Sequence, residues 1–133
     1  MASLNGGFVG IDYEPTSGTQ SEVITTFNSS GTLTTEPRTT SVQYVIVAGG
    51  GGGASESAGA GGGGAGGYRS SVPGEASGGG ASAEATTPVS GGSPYPVTVG
   101  AGGAGGIPGA NVSGINGSNS VLGTPSPITS VGG

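Results

Sequence analysis

Long runs of glycine limit what this chain can fold into more than any other feature of its sequence. Glycine accounts for 34 of the 133 residues, and much of it lies within four stretches, at 49–53, 61–67, 78–80 and 100–106. Ordering a glycine loses more conformational entropy than ordering any other residue. Such runs therefore either stay unfolded or pack in a way that only glycine allows.

Two structures are compatible with these runs: a flexible linker and a packed polyproline II helix. A linker joins separate domains, whereas each run here borders a β-rich segment and has mainly Ala and Ser as spacers. A polyproline II helix has three residues per turn and no internal hydrogen bonds, so neighbouring helices pair only where no Cβ stands between them. We favour packed glycine helices over disorder. The glycines expected to pack in this way are Gly49, Gly50, Gly51, Gly52, Gly53, Gly61, Gly62, Gly63, Gly64, Gly102 and Gly103.

Strands are predicted beside the runs. Two β-branched stretches around a turn at 28–31 predict a hairpin over 22–36. Residues 41–48 (SVQYVIVA) are apolar on both faces, which predicts a central strand covered on both sides. Shorter strands are expected at 68–72, 95–99 and 118–122. No segment has helical apolar spacing, so we predict an all-β fold, a small jelly-roll-like β-sandwich with glycine-rich loops.

The residue inventory excludes most chemistry. The chain has no His, Cys, Trp or Lys, and Arg38 and Arg69 are its cations. Zinc sites, disulfides, imidazole catalysis and Schiff-base chemistry are therefore excluded. The net charge of −5 repels nucleic-acid backbones, and the longest apolar run, 45–48, is too short to cross a bilayer. We expect no enzyme activity, no cofactor and no metal, and we interpret Glu56, Glu75 and Glu84 as solubilising.

The first 20 residues differ from the rest. They include Phe8, Ile11 and Tyr13 in a stretch too short and broken to form a core. A flexible leader and an anchor peptide both fit this composition. We divide the chain into an N-terminal anchor segment, 1–20, whose contact residues are these three, and a glycine-rich β domain, 21–133. The domain is compatible with being the ordered part of a longer chain.

The order of these pieces resembles the glycine-rich domain of bacteriophage tail-fibre and appendage proteins, particularly of marine phages. The resemblance covers about residues 22–123 and is most specific at 45–53 (VIVAGGGGG), 61–68 (GGGGAGGY) and 95–106 (YPVTVGAGGAGG). The same order of a strand followed by polyglycine resembles regions of some phage adhesins and of one receptor tyrosine kinase family. The polar stretch 74–87 departs from the pattern.

The resemblance implies a structural virion protein that forms part of a tail fibre or appendage and is attached through its N-terminal segment. It further implies self-association, with a trimer expected, contacts with other virion proteins, and assembly in the host cytoplasm. The alternative is an adhesin tip that binds a host surface glycan or protein. A capsid decoration protein and an ice-binding protein are further alternatives; the last requires glycine at every third residue, a period that the contiguous runs do not sustain.

Overall fold

The computed structural model describes residues 22–55, 61–110 and 112–133. The described residues form short strands and a single 3-10 turn, Gly78–Gly80, so the prediction of a small all-β fold is confirmed. The strands are β1 (Gly31–Thr34), β2 (Ser41–Val42), β3 (Val45–Val47), β4 (Tyr68–Ser70), β5 (Ala76–Ser77), β6 (Ala81–Ser82), β7 (Thr87–Pro88), β8 (Pro94–Thr98), β9 (Ser120–Leu122) and β10 (Ile128–Ser130).

The strands form one four-stranded sheet and three two-stranded sheets, all antiparallel. The larger sheet has the order β1-β8-β9-β10, and the smaller ones pair β2 with β7, β3 with β4, and β5 with β6. The core lies where β2 and β3 face the larger sheet. Tyr44, Leu122 and Ile128 are buried there, with Leu33, Val42, Ile46 and Val97 packed around them.

The predicted hairpin over 22–36 is wrong. Only its second half forms a strand, and that strand, β1, pairs with β8 some sixty residues later in the sequence (Leu33 opposite Tyr95). This pairing places Leu33 against the core. Val23 and Ile24 remain largely exposed and lie outside any strand, so burial of Leu33 decides the pairing and the local β-branched run does not.

The single covered strand predicted over 41–48 is also wrong. The stretch is interrupted because the Tyr44 N–H donates to the Ser71 hydroxyl at 2.8 Å, and Ser71 N–H donates back to the Tyr44 carbonyl at 2.9 Å. Before this interruption β2 pairs with β7, and after it β3 pairs with β4. Val45 and Val47 are 50% and 58% exposed, so β3 is covered on one face only.

Five glycine-rich segments extend the strands and pack together as a unit that we call the glycine bundle. Segment 48–55 continues β3, segment 100–106 follows β8, and segment 131–133 continues β10. Segments 61–67 and 112–118 run into β4 and β9. The bundle is therefore built from strands that leave the sheets and strands that enter them.

The central segment, 48–55, hydrogen-bonds to its neighbours with a period of three residues. Backbone N–H groups of residues 48, 51 and 54 donate to segment 61–67, and those of residues 49, 52 and 55 donate to segment 112–118. The carbonyls of residues 50 and 53 accept from segment 100–106. Three residues per turn, with bonds only between segments, is the geometry of polyproline II.

Because so few apolar side chains are buried, the core should be sensitive to truncation. Leu122→Ala removes a buried side chain at the centre of the cluster and should lower the free energy of unfolding by about 2 to 5 kcal/mol. Val23→Ala changes an exposed side chain and serves as the control, with almost no effect expected. Urea denaturation of both variants measures the difference. Equal stability of the two variants would contradict the assigned core.

Candidate functional site

Close backbone approach in the glycine bundle depends on particular glycines. A Cβ added at Gly100, Gly103 or Gly106 would lie 2.1, 1.7 or 2.1 Å from the carbonyl oxygens of residues 118, 115 and 112. At Gly102 and Gly105 the nearest atom would be 3.6 or 3.7 Å away, an ordinary contact. Within 100–106, glycine is thus sterically required at every third position.

The same rule holds in the other segments. An added Cβ would lie 2.0 Å from a carbonyl oxygen at Gly49 and at Gly52, and 1.9 and 2.1 Å from one at Gly63 and Gly66. In segment 112–118 the corresponding distances are 1.8 Å at Gly114 and 2.1 Å at Gly117. A real Cβ cannot occupy any of these places without moving backbone.

In the four longer segments the required glycines therefore recur at every third residue, a period that the contiguous runs conceal, whereas in segment 131–133 the adjacent Gly132 and Gly133 are both required. Non-required positions also hold glycine in 49–53 and 61–67, so the period is invisible there by sequence alone. In 100–106 the exposed positions 101 and 104 are Ala, and in 112–118 the exposed position 115 is Ile. The expectation that a three-residue glycine period is not sustained is therefore wrong for the packed segments.

The glycines predicted from the sequence to pack closely differ in how much space the structure leaves for a side chain. Gly49, Gly52, Gly63 and Gly103 are at required positions. An added Cβ would be 2.8 Å from its nearest neighbour at Gly51, between 3.0 and 3.3 Å at Gly50, Gly53 and Gly64, and 3.6 Å at Gly102; nothing lies within 4 Å at Gly61 and Gly62. Sequence reasoning missed Gly66, Gly100, Gly106, Gly114, Gly117, Gly132 and Gly133, although counting in threes from Gly103 and from Gly114 finds several of them. Phe8, Ile11 and Tyr13 lie outside the described residues.

A polar cluster stands where the β5–β6 hairpin meets β4. The Arg69 guanidinium forms an ion pair with the Glu84 carboxylate through Nη2 and Oε2, and its Nε donates to Oε1 at 2.8 Å. The same carboxylate accepts from the Ser77 hydroxyl at 2.9 Å and from the Tyr44 hydroxyl at 3.0 Å. Arg69 Nη1 also donates to the Thr129 carbonyl at 3.1 Å, which connects the cluster to β10.

These contacts set the charge states in the cluster. The hydrogen bond from Arg69, supported by those from Ser77 and Tyr44, lowers the pKa of Glu84 to about 2. Burial, together with the hydrogen bond to Glu84, raises the pKa of the Tyr44 hydroxyl. Glu84 is thus a charged group whose two oxygens already accept hydrogen bonds from Arg69, Ser77 and Tyr44, as expected of a structural ion pair.

The interpretation of Glu84 and Glu75 as merely solubilising is therefore wrong. Glu75 accepts from the Ser70 hydroxyl at 2.8 Å and from the Tyr68 hydroxyl at 3.2 Å. The polar stretch 74–87 forms the β5–β6 hairpin and brings both carboxylates to β4. The available signal was Arg69 itself, since one of only two cations in a chain of this composition needs a carboxylate partner when it enters a strand.

The part of the chain that the structure describes holds no group of three or more acidic, His or Cys side chains able to bind a metal ion. It likewise has no helix with the length and apolarity needed to cross a membrane. A family model described as a glycine-rich domain matches residues 25–133. The chain belongs to this family. Searches of curated proteins and of solved structures found no match.

The match begins within the stretch that precedes β1 and ends at the last residue. It therefore includes all strands and all five segments of the glycine bundle. In this glycine-rich domain the sheets align the segments, and the glycines at every third position let the segments hydrogen-bond to one another.

Paired substitutions in segment 61–67 test the steric rule. In Gly63→Ala the new Cβ would meet the Gly51 carbonyl, so the variant should lose about 3 kcal/mol of unfolding free energy. In Gly62→Ala the Cβ enters open space, and reduced entropy of the unfolded chain should stabilise the domain by about 0.4 to 1 kcal/mol. Gly63→Val and Gly51→Val should lower the free energy of unfolding as well, because their branched side chains would collide with backbone atoms of neighbouring segments. Chemical denaturation checks the order, and equal effects at 62 and 63 would contradict it.

The free energy of unfolding should depend on pH through the Glu84 carboxylate. Its pKa falls from 4.5 in the unfolded chain to about 2 in the folded one, so its stabilising contribution is complete above about pH 4.5 and is lost as the pH falls towards 2. Glu84→Gln should lower stability at pH 7 by about 1 to 2 kcal/mol, since the pair is partly exposed, and should flatten the profile in that window. Glu22→Gln, at an exposed position, is the control. An unchanged profile in Glu84→Gln would show that the pair is not stabilising.

Proposed function

We propose that this chain is a structural virion protein, a component of a phage tail fibre or appendage that associates with copies of itself. The observation that carries the proposal is the glycine bundle, in which five segments are held by backbone hydrogen bonds of 2.7 to 3.1 Å between segments. A structure held in this way needs few large side chains and no reactive ones. The proposal includes no catalytic step and no cofactor.

The resemblance of 45–53, 61–68 and 95–106 to fibre and appendage proteins supports this role. The Arg69–Glu84 ion pair supports it as well, because the pair serves a structural purpose: it joins the β5–β6 hairpin to β4 and β10. Trimerisation is part of the proposal, as is a location in the virion after assembly in the host cytoplasm. Attachment to the particle is assigned to residues 1–20.

One observation favours the alternative, an adhesin that binds a host surface glycan or protein. At the end of the glycine bundle that lies away from the sheets, Ile107 begins the turn 107–110 and is 63% exposed, and Val112 is 40% exposed. Ile115, one turn back towards the sheets on segment 112–118, is also 63% exposed. An apolar tip on a backbone-held scaffold is the kind of surface that binds a receptor, so the tip and the attachment segment need separate tests.

Deletion of residues 1–20 separates attachment from folding. The truncated protein should fold and oligomerise as the full chain does, because the matched domain begins at residue 25, but it should be missing from purified particles. A second variant, Phe8→Ser/Ile11→Ser/Tyr13→Ser in the full chain, should also be lost from particles, because it removes the three proposed contact residues and keeps the chain length. Normal incorporation of both would contradict the anchor role, and absence of the intact chain from particles would contradict the virion role. Ile107→Ser/Ile115→Ser, incorporated normally but with reduced host adsorption, would favour the adhesin.

A further inference from the structure

An asparagine followed by glycine lies inside the glycine bundle, at residues 116 and 117 of segment 112–118. In such a pair the glycine nitrogen can attack the asparagine side chain, because glycine has no Cβ to hinder the approach. Gly117 is a required glycine, since an added Cβ would lie 2.1 Å from the Gly49 carbonyl oxygen. Asn116 is exposed. The packing of the bundle therefore fixes glycine as the residue that follows a solvent-accessible asparagine.

The reaction open to this pair is a cyclisation followed by hydrolysis. The Gly117 nitrogen forms a bond to Cγ of Asn116, the Cγ–Nδ2 bond breaks, and the Gly117 N–H proton leaves with Nδ2 as ammonia. Water then opens the resulting cyclic imide at one of its two carbonyls. Opening at Cγ gives aspartate, whereas opening at the main-chain carbonyl gives isoaspartate, in which the backbone runs through Cβ and Cγ.

The closed bundle opposes the cyclisation. Gly117 N–H donates to the Gly133 carbonyl at 2.7 Å, and this hydrogen must be lost for the nitrogen to attack. Ring closure also needs the peptide between residues 116 and 117 to turn towards the Asn116 side chain. Backbone packing restricts that turn, because a Cβ added at Gly103 would lie only 2.8 Å from the Asn116 carbonyl carbon. The nitrogen can therefore react only when the bundle opens locally.

Isoaspartate does not fit the closed bundle. Ile115 N–H donates to the Ala104 carbonyl at 2.9 Å and Ser118 N–H to the Ala101 carbonyl at 2.8 Å, so the backbone is held in register with segment 100–106 on both sides of the pair. The extra backbone carbon of isoaspartate lengthens the path between these two bonds by about 1.5 Å. Keeping one bond therefore breaks the other. Aspartate, by contrast, leaves the backbone unchanged and places its charge at an exposed position.

We propose that residues 116 and 117 form a chemical modification site that the closed glycine bundle keeps unreactive, and that isoaspartate formed there prevents the bundle from closing again. Opening of the bundle becomes irreversible in those molecules that cyclise before it recloses. Asn119 provides an internal comparison, because it is followed by Ser120 and its side-chain oxygen accepts from Gly132 N–H at 3.0 Å. Reaction at Asn119 should be slower than at Asn116 in the unfolded chain, since the serine side chain hinders the attack.

Rates of ammonia loss at Asn116 test whether the fold controls the reaction. The full chain is incubated in mildly alkaline buffer with and without urea, beside a synthetic peptide of residues 113–119 (SGINGSN), and the products are assigned by position-resolved mass spectrometry. The unfolded chain and the peptide should react at similar rates, and the folded chain at least about a hundredfold more slowly. Equal rates in the folded and unfolded chain, or no reaction in the unfolded chain, would overturn the proposal.

A matched pair of variants connects the rate to opening of the bundle. Gly63→Ala, in which the new Cβ meets backbone, should react at least about tenfold faster than the original chain in buffer without urea. If this variant fails to fold, it should react at the rate of the peptide. Gly62→Ala, whose Cβ enters open space, should react no faster than the original chain. A rate in Gly63→Ala equal to that of the original chain would contradict control by the bundle.

Asn116→Asp is the control for the product, because it carries the new charge on an unchanged backbone. After refolding from urea it should protect the Gly117 and Ser118 amides from hydrogen exchange as the original chain does. The isoaspartate form, made in the unfolded chain and separated by chromatography, should exchange these amides about a hundredfold faster. Equal protection in both forms would show that the bundle accepts the longer backbone, and loss of protection in Asn116→Asp would assign the effect to charge; either result overturns the proposal.

Discussion

The structure depends on hydrogen bonds between backbones that pass one another with no side chain between them. Segment 100–106 illustrates the constraint, since each of its three required glycines would place a Cβ within 2.1 Å of a carbonyl oxygen on segment 112–118. Replacing one such glycine removes the space that a neighbouring bond needs. The bundle is consequently specified by where side chains are absent, which is the reverse of how an apolar core is specified.

This constraint explains how the small apolar core suffices. Buried large side chains are confined to Tyr44, Tyr95, Leu122 and Ile128 among the described residues, whereas the bundle satisfies its backbone groups through bonds to other segments. Each such bond contributes only about 0.5 to 1.5 kcal/mol net, and ordering glycine opposes it. The core and the Arg69–Glu84 pair fix the sheets, and the sheets hold the segments in register, so that many weak bonds form together.

The sequence predicts the parts of the fold that depend on local pattern. The short strands at 68–70, 94–98 and 120–122 follow from their β-branched and aromatic residues, and the all-β class follows from the lack of helical spacing. The partner of β1 could not be predicted, because Leu33 is buried by pairing with a strand distant in sequence. The Arg69–Glu84 ion pair could not be predicted either, since Glu84 lies in a polar stretch that has no alternation of apolar residues to indicate the β5–β6 hairpin. Which glycines are required could be found only where Ala or Ile marks the intervening positions, as in 100–106 and 112–118.

The directions of the segments follow from the sheets. Segments 48–55, 100–106 and 131–133 leave the ends of strands, whereas segments 61–67 and 112–118 enter them. Antiparallel pairing of β3 with β4, and of β8 with β9, therefore makes the attached segments antiparallel. Segments 48–55 and 100–106 run parallel to each other, since the amides of Gly103 and Gly106 donate to the carbonyls of Gly50 and Gly53, although β3 and β8 belong to different sheets. Since a polyproline II segment offers bonds in three directions, the central segment can join the two layers, which a β-strand, bonding only in the plane of its sheet, cannot do.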